Sequence, residues 1–309
     1  MAIEIHSPPF EKICDGLKGA EGPVFDKNGD FFMVAPEVED SNGQSAGEIL
    51  KIDLKTGSAT KWCLPRSDGV GGIPAGCQID KENALWVADM RLGLLKVTVS
   101  QTDSTKGVFV QVRKQSDDGK PMQGCNDCAF DPSGNLWVTA PAGEIAPAPY
   151  RRSMEEPFGS VYCYTSDGKM ILVDTGYRFS NGIAVTRNGA TLIVAETPTK
   201  SLWAYDINGP GSVSNKRLWG RLPGEHEGGP DGMDFDRDGR LLVANWGSGH
   251  LEVFDESGVH VSRIKCPFKN PSNLHFEPGS GVVYVTEHEF HGLWKFSWTT
   301  PGQRQYCEL

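Results

Sequence analysis

The sequence predicts an all-β fold, a six-bladed β-propeller with four-stranded antiparallel blades and a central tunnel, and three observations lead there. A six-residue apolar motif recurs at intervals of roughly 40 to 55 residues, the repeat length of propeller blades. Every copy leads through an Asp/Asn/Gly turn into a second apolar strand. No segment carries a long 3.6-residue apolar period, so a helical reading fails.

The six copies begin at Glu21, Ala75, Asn126, Asn181, Asp231 and Ser272. Their fifth column is Phe25, Ile79, Phe130, Val185, Phe235 and Phe276, bulky residues suited to packing between blades. Turns follow at Lys27-Asn-Gly, Pro132-Ser-Gly, Arg187-Asn-Gly and Arg237-Asp-Gly, where Gly or Asn supplies the positive φ of a tight hairpin. The second strands, such as Leu85-Trp-Val-Ala and Leu241-Leu-Val-Ala, are continuously apolar, as expected of strands buried on both faces. Third strands recur as Gly47-Glu-Ile-Leu-Lys-Ile through Gly292-Leu-Trp-Lys-Phe. Few residues remain after Trp294, so the stretch Phe10 to Cys14 is expected to supply the outer strand of the last blade and close the ring. Residues 1–309 then form a single propeller domain.

Composition bounds the partners. The chain has 309 residues, 38% hydrophobic and 23% charged, with a net charge of −10. That acidity repels phosphate backbones and anionic lipid, so the expected partner is a small molecule, with no nucleic acid and no membrane. No segment is long and apolar enough to span a bilayer, and the start lacks the basic and apolar regions of a signal peptide. The expected location is cytoplasmic and the expected state a monomer. Eight scattered cysteines give no disulfide framework. Cys125-x-x-Cys128 lacks a second pair at zinc spacing, and Cys128 falls in the apolar third column with Pro23, Cys77, Ile183, Met233 and Leu274, so a core role is expected.

The first column carries the functional signal. In a propeller the first strand of each blade lines the tunnel, so Glu21, Asn126, Asn181 and Asp231 reach one height around one axis. Polar residues at strand starts often only satisfy turn backbone; four in one column point instead to a shared ligand. Two carboxylates and two amide oxygens select a hard cation, with Ca²⁺ favoured over Mg²⁺. The fourth column, about 10 Å further along the strand, contains Asp234 and His275 from neighbouring blades. These suit a second ion or a plain hydrogen bond equally well on spacing alone.

Long motifs then carry a likeness over essentially the whole chain. Ala20-Glu-Gly-Pro-Val-Phe-Asp, Met122-Gln-Gly-Cys-Asn-Asp-Cys-Ala-Phe, Val194-Ala-Glu-Thr-Pro-Thr-Lys, Asp231-Gly-Met-Asp-Phe-Asp and Pro271-Ser-Asn-Leu-His-Phe resemble the squid-type diisopropylfluorophosphatases, within the gluconolactonase/regucalcin-like superfamily of six-bladed propellers. The resemblance implies an organophosphate triesterase with two Ca²⁺ ions. It places the catalytic calcium on Glu21, Asn126, Asn181 and Asp231, and a structural calcium on Asp234, the Leu274 carbonyl and His275. Pocket residues carried over are Glu37, Ile73, Arg152, Met154, Phe179, Thr197, Trp246 and His288. The sequence departs from that pattern at Phe179-Ser180-Asn181, where the family has Pro before the amide ligand, so a less rigid approach to Asn181 is expected.

The expected reaction is cleavage of a phosphorus–fluorine or related phosphoester bond, with Asp231 as nucleophile; activation of a metal-bound water by Asp231 or Glu21 is the alternative. His288 is read as a general base or as a pocket wall. A calcium-dependent lactonase and a non-catalytic calcium-binding propeller are the competing functions.

Overall fold

Each motif copy becomes the inner strand of a blade, and the apolar run after its turn becomes the second. The computed structural model describes residues 3–122, 124–141 and 157–309. Six antiparallel sheets of at least four strands each result, every inner strand starting within two residues of the first column. Blade 1, for example, is Glu21–Phe25, Phe31–Ala35, Glu48–Asp53 and Ser58–Cys63, and blade 5 is Pro230–Phe235, Leu241–Asn245, His250–Phe254 and His260–Lys265.

The hairpins at the far end of the inner strands share one device. Asp26 Oδ1 accepts the N–H groups of Asn28 and Asp30, and Asp131 Oδ1 those of Ser133 and Asn135. Asp80 and Asp236 do the same in their blades. The aspartate thus turns the chain by mimicking a backbone acceptor, and Gly29, Gly134 and Gly239 then take φ near 82°, 86° and 82°. The core lies between blades rather than at one centre. Ala184 and Ile193 of blade 4 pack with Met233, Phe235 and Leu241 of blade 5, and Leu242 and Val253 of blade 5 with Leu274 and Phe276 of blade 6.

Blade 6 takes its outer strand from Glu11–Cys14, antiparallel to Gly292–Ser297. Upstream of it, Glu4–His6 adds a parallel fifth strand to blade 5 beside His260–Lys265, a pairing the sequence pattern does not reveal. All eight cysteines are free thiols. Cys125 and Cys128 sit in an apolar cluster with Met122 and Leu136. Among the described residues no helix is long and apolar enough to cross a membrane.

Candidate metal centre

The first-column side chains are aimed by irregular backbone. The register slips between Glu21 and Val24, between Ser180 and Ile183, and between Pro230 and Met233. A bulge at the start of an inner strand turns the local side chains away from the regular pleat, here toward the tunnel. In blade 3 the regular strand begins only at Cys128, and Asn126 is held by backbone instead. Its N–H donates to Thr139 O at 2.8 Å and its carbonyl accepts from Gly76 N at 2.6 Å.

Glu21 is buried, its Oε2 accepting from Gly22 N at 3.0 Å and Asn273 Nδ2 at 3.1 Å. Burial pushes its carboxyl up to about 7, with those two donors opposing the rise. Asp231 is raised well above the carboxylate range, first by desolvation and then by the charges of Glu21 and Asp127. The Asn181 side chain and the Gly232 N–H partly relieve it. Asn181 Nδ2 donates to Thr197 Oγ1 at 3.0 Å, while its buried Oδ1 has no hydrogen-bond partner among the described residues. Like charges in one dry site favour protons on their own; a divalent cation removes the conflict. Among the described residues no three His, Cys, Asp or Glu side chains gather as a metal group, so any cation here depends on the amide oxygens as well.

The second column shows why these residues can approach each other. It reads Gly22, Gly76, Asp127, Gly182, Gly232 and Asn273. A Cβ on Gly76 would collide with Asp127, and one on Gly232 with Asn273. Likewise Gly22 faces the Ala75 carbonyl and Gly182 the Asp231 carbonyl. Each glycine therefore makes room for the next blade. Asp127 and Asn273 are the two side chains this spacing admits, and the first-column reading missed both. Their signal is the break in a column of glycines. Each is braced from its second strand, Asp127 N–H donating to Thr139 Oγ1 and Asn273 N–H to Thr286 Oγ1, both at 3.1 Å.

One column deeper, His275 Nδ1 lies 3.3 Å from Asp234 Oδ2. Burial lowers His275 to about 4 and raises Asp234 to about 7, so a neutral imidazole faces an acid held back from ionising. His275 Nε2 is buried without a partner among the described residues. A cavity of about 30 Å³ lies beside Asp234, His275, Leu274 and Asp127, room for one water-sized species.

Around the upper mouth, Thr197 Oγ1 donates to Pro230 O at 2.8 Å, and Phe179 and Ile73 are buried. Glu37 is exposed. Trp246 Nε1 donates to His288 Nδ1 at 3.2 Å, and burial lowers the imidazole to about 4. With Nδ1 accepting, the neutral ring carries its proton on Nε2, which is buried without a partner among the described residues. As placed, Nδ1 of His288 is already engaged by Trp246. Arg152 and Met154 lie outside the described residues. Ser180 is fully buried at the start of its strand and donates to Ser160 O at 3.0 Å, so an interblade hydrogen bond anchors the approach to Asn181.

Residues 19–289 match the family described as the SMP-30/Gluconolactonase/LRE-like region. The chain belongs to that family. Within the SMP-30/gluconolactonase/LRE-like family it is 60% identical to the diisopropyl-fluorophosphatase of Loligo vulgaris, over 100% of this chain and 98% of the relative. It is 25% identical to the gluconolactonase of Zymomonas mobilis, over 91% and 79% of the two chains. The crystal structure of a calcium-binding protein, regucalcin, from Agrobacterium tumefaciens superposes with a TM-score of 0.76 at 20% identity, covering 99% and 98%, a likeness of fold.

Proposed function

We propose that this chain hydrolyses organophosphorus triesters and fluorophosphates as a monomer in the cytoplasm, with calcium held by Glu21, Asn126, Asn181 and Asp231. A second calcium is assigned to Asp234, the Leu274 carbonyl and His275. The observation that carries this reading is the pairing of the buried Glu21 and the half-buried Asp231 carboxylates with an unpartnered amide oxygen, Asn181 Oδ1, in a chain 60% identical to a diisopropyl-fluorophosphatase. The orphaned Oδ1 of Asn181 and the Nδ1 of His275, which faces Asp234 Oδ2 at 3.3 Å, are the donors a cation at each level would engage. Calcium, when bound, draws electron density from the phosphoryl oxygen and stabilises charge developing there.

The residues supply the rest. Asp231, ionised beside the cation, attacks phosphorus through one carboxylate oxygen as fluoride leaves with the bonding pair. Water then adds at the Asp231 carboxyl carbon, its C–O bond to the phosphoryl group breaks, and the phosphodiester departs. Asn181 and the Gly232 N–H hold the carboxylate in place. His288 and Trp246 form a fixed wall.

Assays of diisopropylfluorophosphate and of a gluconolactone, with calcium and in chelator, separate this reading from the lactonase suggested by the 25% relative. Calcium-dependent turnover of the fluorophosphate, and faster than of the lactone, is expected. Stabilisation by calcium without turnover of either would leave only a binding protein. Asp231→Asn is expected to lose on the order of 10³-fold or more in kcat with calcium content measured alongside. In heavy-oxygen water, single turnover is expected to place the label in Asp231; label appearing first in the product would assign attack to water.

A further inference from the structure

The last residues form a strap beneath the tunnel, on the face opposite the Glu21 column. Gly302 N–H donates to Ser280 O of blade 6, and Gln303 N–H to Phe235 O of blade 5 at 2.9 Å. Gln303 Nε2 reaches Val185 O of blade 4 at 3.1 Å. Tyr306 stacks on Phe130 of blade 3 at 4.7 Å, with Lys81 of blade 2 above the ring at 4.8 Å. Cys307 is buried in the apolar cluster with Val24 of blade 1. The segment from Gly302 to Cys307 therefore touches all six blades.

Two spaces meet at this strap. Above it is the cavity of about 30 Å³ that holds Asp234 and His275. Outside it is a groove of about 460 Å³ whose lining includes Asp26, Glu277, Glu308 and Lys27. His275 and Gln305 line both spaces. Gln305 Nε2 lies 3.3 Å from each carboxylate oxygen of Asp234, across the face of the carboxylate that a cation has to reach. The groove's carboxylates outnumber its one lysine. Glu308 is tied into the strap through the Gln305 N–H at 2.8 Å. The imidazole of His275, 3% exposed as a residue and unpartnered at Nε2, lines both spaces and turns its Nδ1 to Asp234 at 3.3 Å; it is the second observation that directs this acidic groove to a ligand.

We infer that the groove is a cation port on the face opposite the substrate mouth, with Gln305 as its gate and the strap as its frame. The lower cation enters and leaves from below, independently of substrate. This rests on the assignment of a second calcium to Asp234, Leu274 and His275. A gate differs from a ligand in kinetics: removing it raises association and dissociation together and leaves affinity nearly unchanged, whereas removing a ligand raises dissociation alone.

The test uses the calcium-loaded full chain. Atomic absorption after desalting first counts calcium per chain, and stopped-flow release into a chromophoric chelator resolves the phases. Loss of one phase in Asp234→Asn marks the lower site. Gln305→Ala is expected to speed that phase about tenfold, with association rising in step and Kd changing less than about twofold. Glu277→Gln combined with Glu308→Gln is expected to slow calcium association and weaken its salt dependence, with fluorophosphate turnover at saturating calcium unchanged. Two bound ions with both rates unmoved in Gln305→Ala would overturn the port, as would a change in dissociation alone. A wild-type chain that binds only one ion would instead remove the site itself, a different and recognisable failure.

Discussion

Asp231 and Gly232 show how one peptide unit can hold both chemistry and the space for it. The carboxylate stands among Glu21, Asp127 and Asn181, and the following glycine leaves room for Asn273, whose amide donates to Glu21. Gly232→Ala is expected to displace Asn273, cost about 1 to 3 kcal/mol of stability and weaken calcium binding. Urea denaturation and calcium titration check both effects; full retention of calcium affinity would show that Asn273 does not position Glu21. The first column itself was legible in the sequence, because a repeat places equivalent residues at one height. Asp127 and Asn273 were not, because their importance lies in which blade faces a glycine, a relation between strands about fifty residues apart.

At the scale of the element, every inner strand but that of blade 3 is a regular ladder at its deep end and a bulge at its upper end. The regular part carries Phe25 or Phe235 into the interblade core, and the bulge aims the ligand. Blades are joined through side chains as well as apolar surface. Thr139 Oγ1 accepts the Asp127 N–H and donates to Asn181 O of blade 4 at 2.6 Å. Thr139→Val keeps the shape of the side chain but leaves a buried N–H and a buried carbonyl without these bonds. A loss of about 1 to 3 kcal/mol is expected, with weaker calcium binding because Asn181 moves with its backbone. Thermal denaturation compared with Thr286→Val, which lacks the link to Asn181, separates the positioning effect from the general cost. The hairpin aspartates were visible in sequence only as turn residues. Their double acceptance of N–H groups is a local rule, so it needed no tertiary contact to be anticipated.

For the whole molecule, the consequence of gathering Glu21, Asp127, Asp231 and Asp234 in one tunnel is a pH-dependent stability. Glu21 and Asp234 are pushed up to about 7 by burial, from ordinary values of 4.5 and 3.8. Between those values and 7 the folded state retains protons that the unfolded chain has released. The contribution of these two acids to stability in chelator is therefore greatest at the acid end of this window and is lost as pH rises through about 7, while His275 and His288, lowered to about 4 from 6.5, contribute the opposite slope below about 6.5. The denaturation midpoint in chelator is expected to drop from about pH 6.5 to pH 8. Glu21→Gln is expected to flatten part of the slope, and saturating calcium to offset it by binding the ionised folded form. A midpoint that rises with pH above about 6.5 in chelator would contradict the burial of these acids.

By itself the sequence determined the architecture and the level of the first column, since blade repeats, turn residues and strand patterning are local and recur in register. It also marked Asp234 and His275 as a pair one column deeper. Only the tertiary structure decided which glycines open space for the neighbouring blade, which nitrogen of His288 is already engaged, and where the first and last residues go. Glu4–His6 joins blade 5, and the segment after Gly302 crosses beneath all six blades. Such contacts lie between residues far apart in the chain, and nothing in the local pattern of either partner specifies the other. Ring closure brings them together, and so it also decides that the tunnel has a floor.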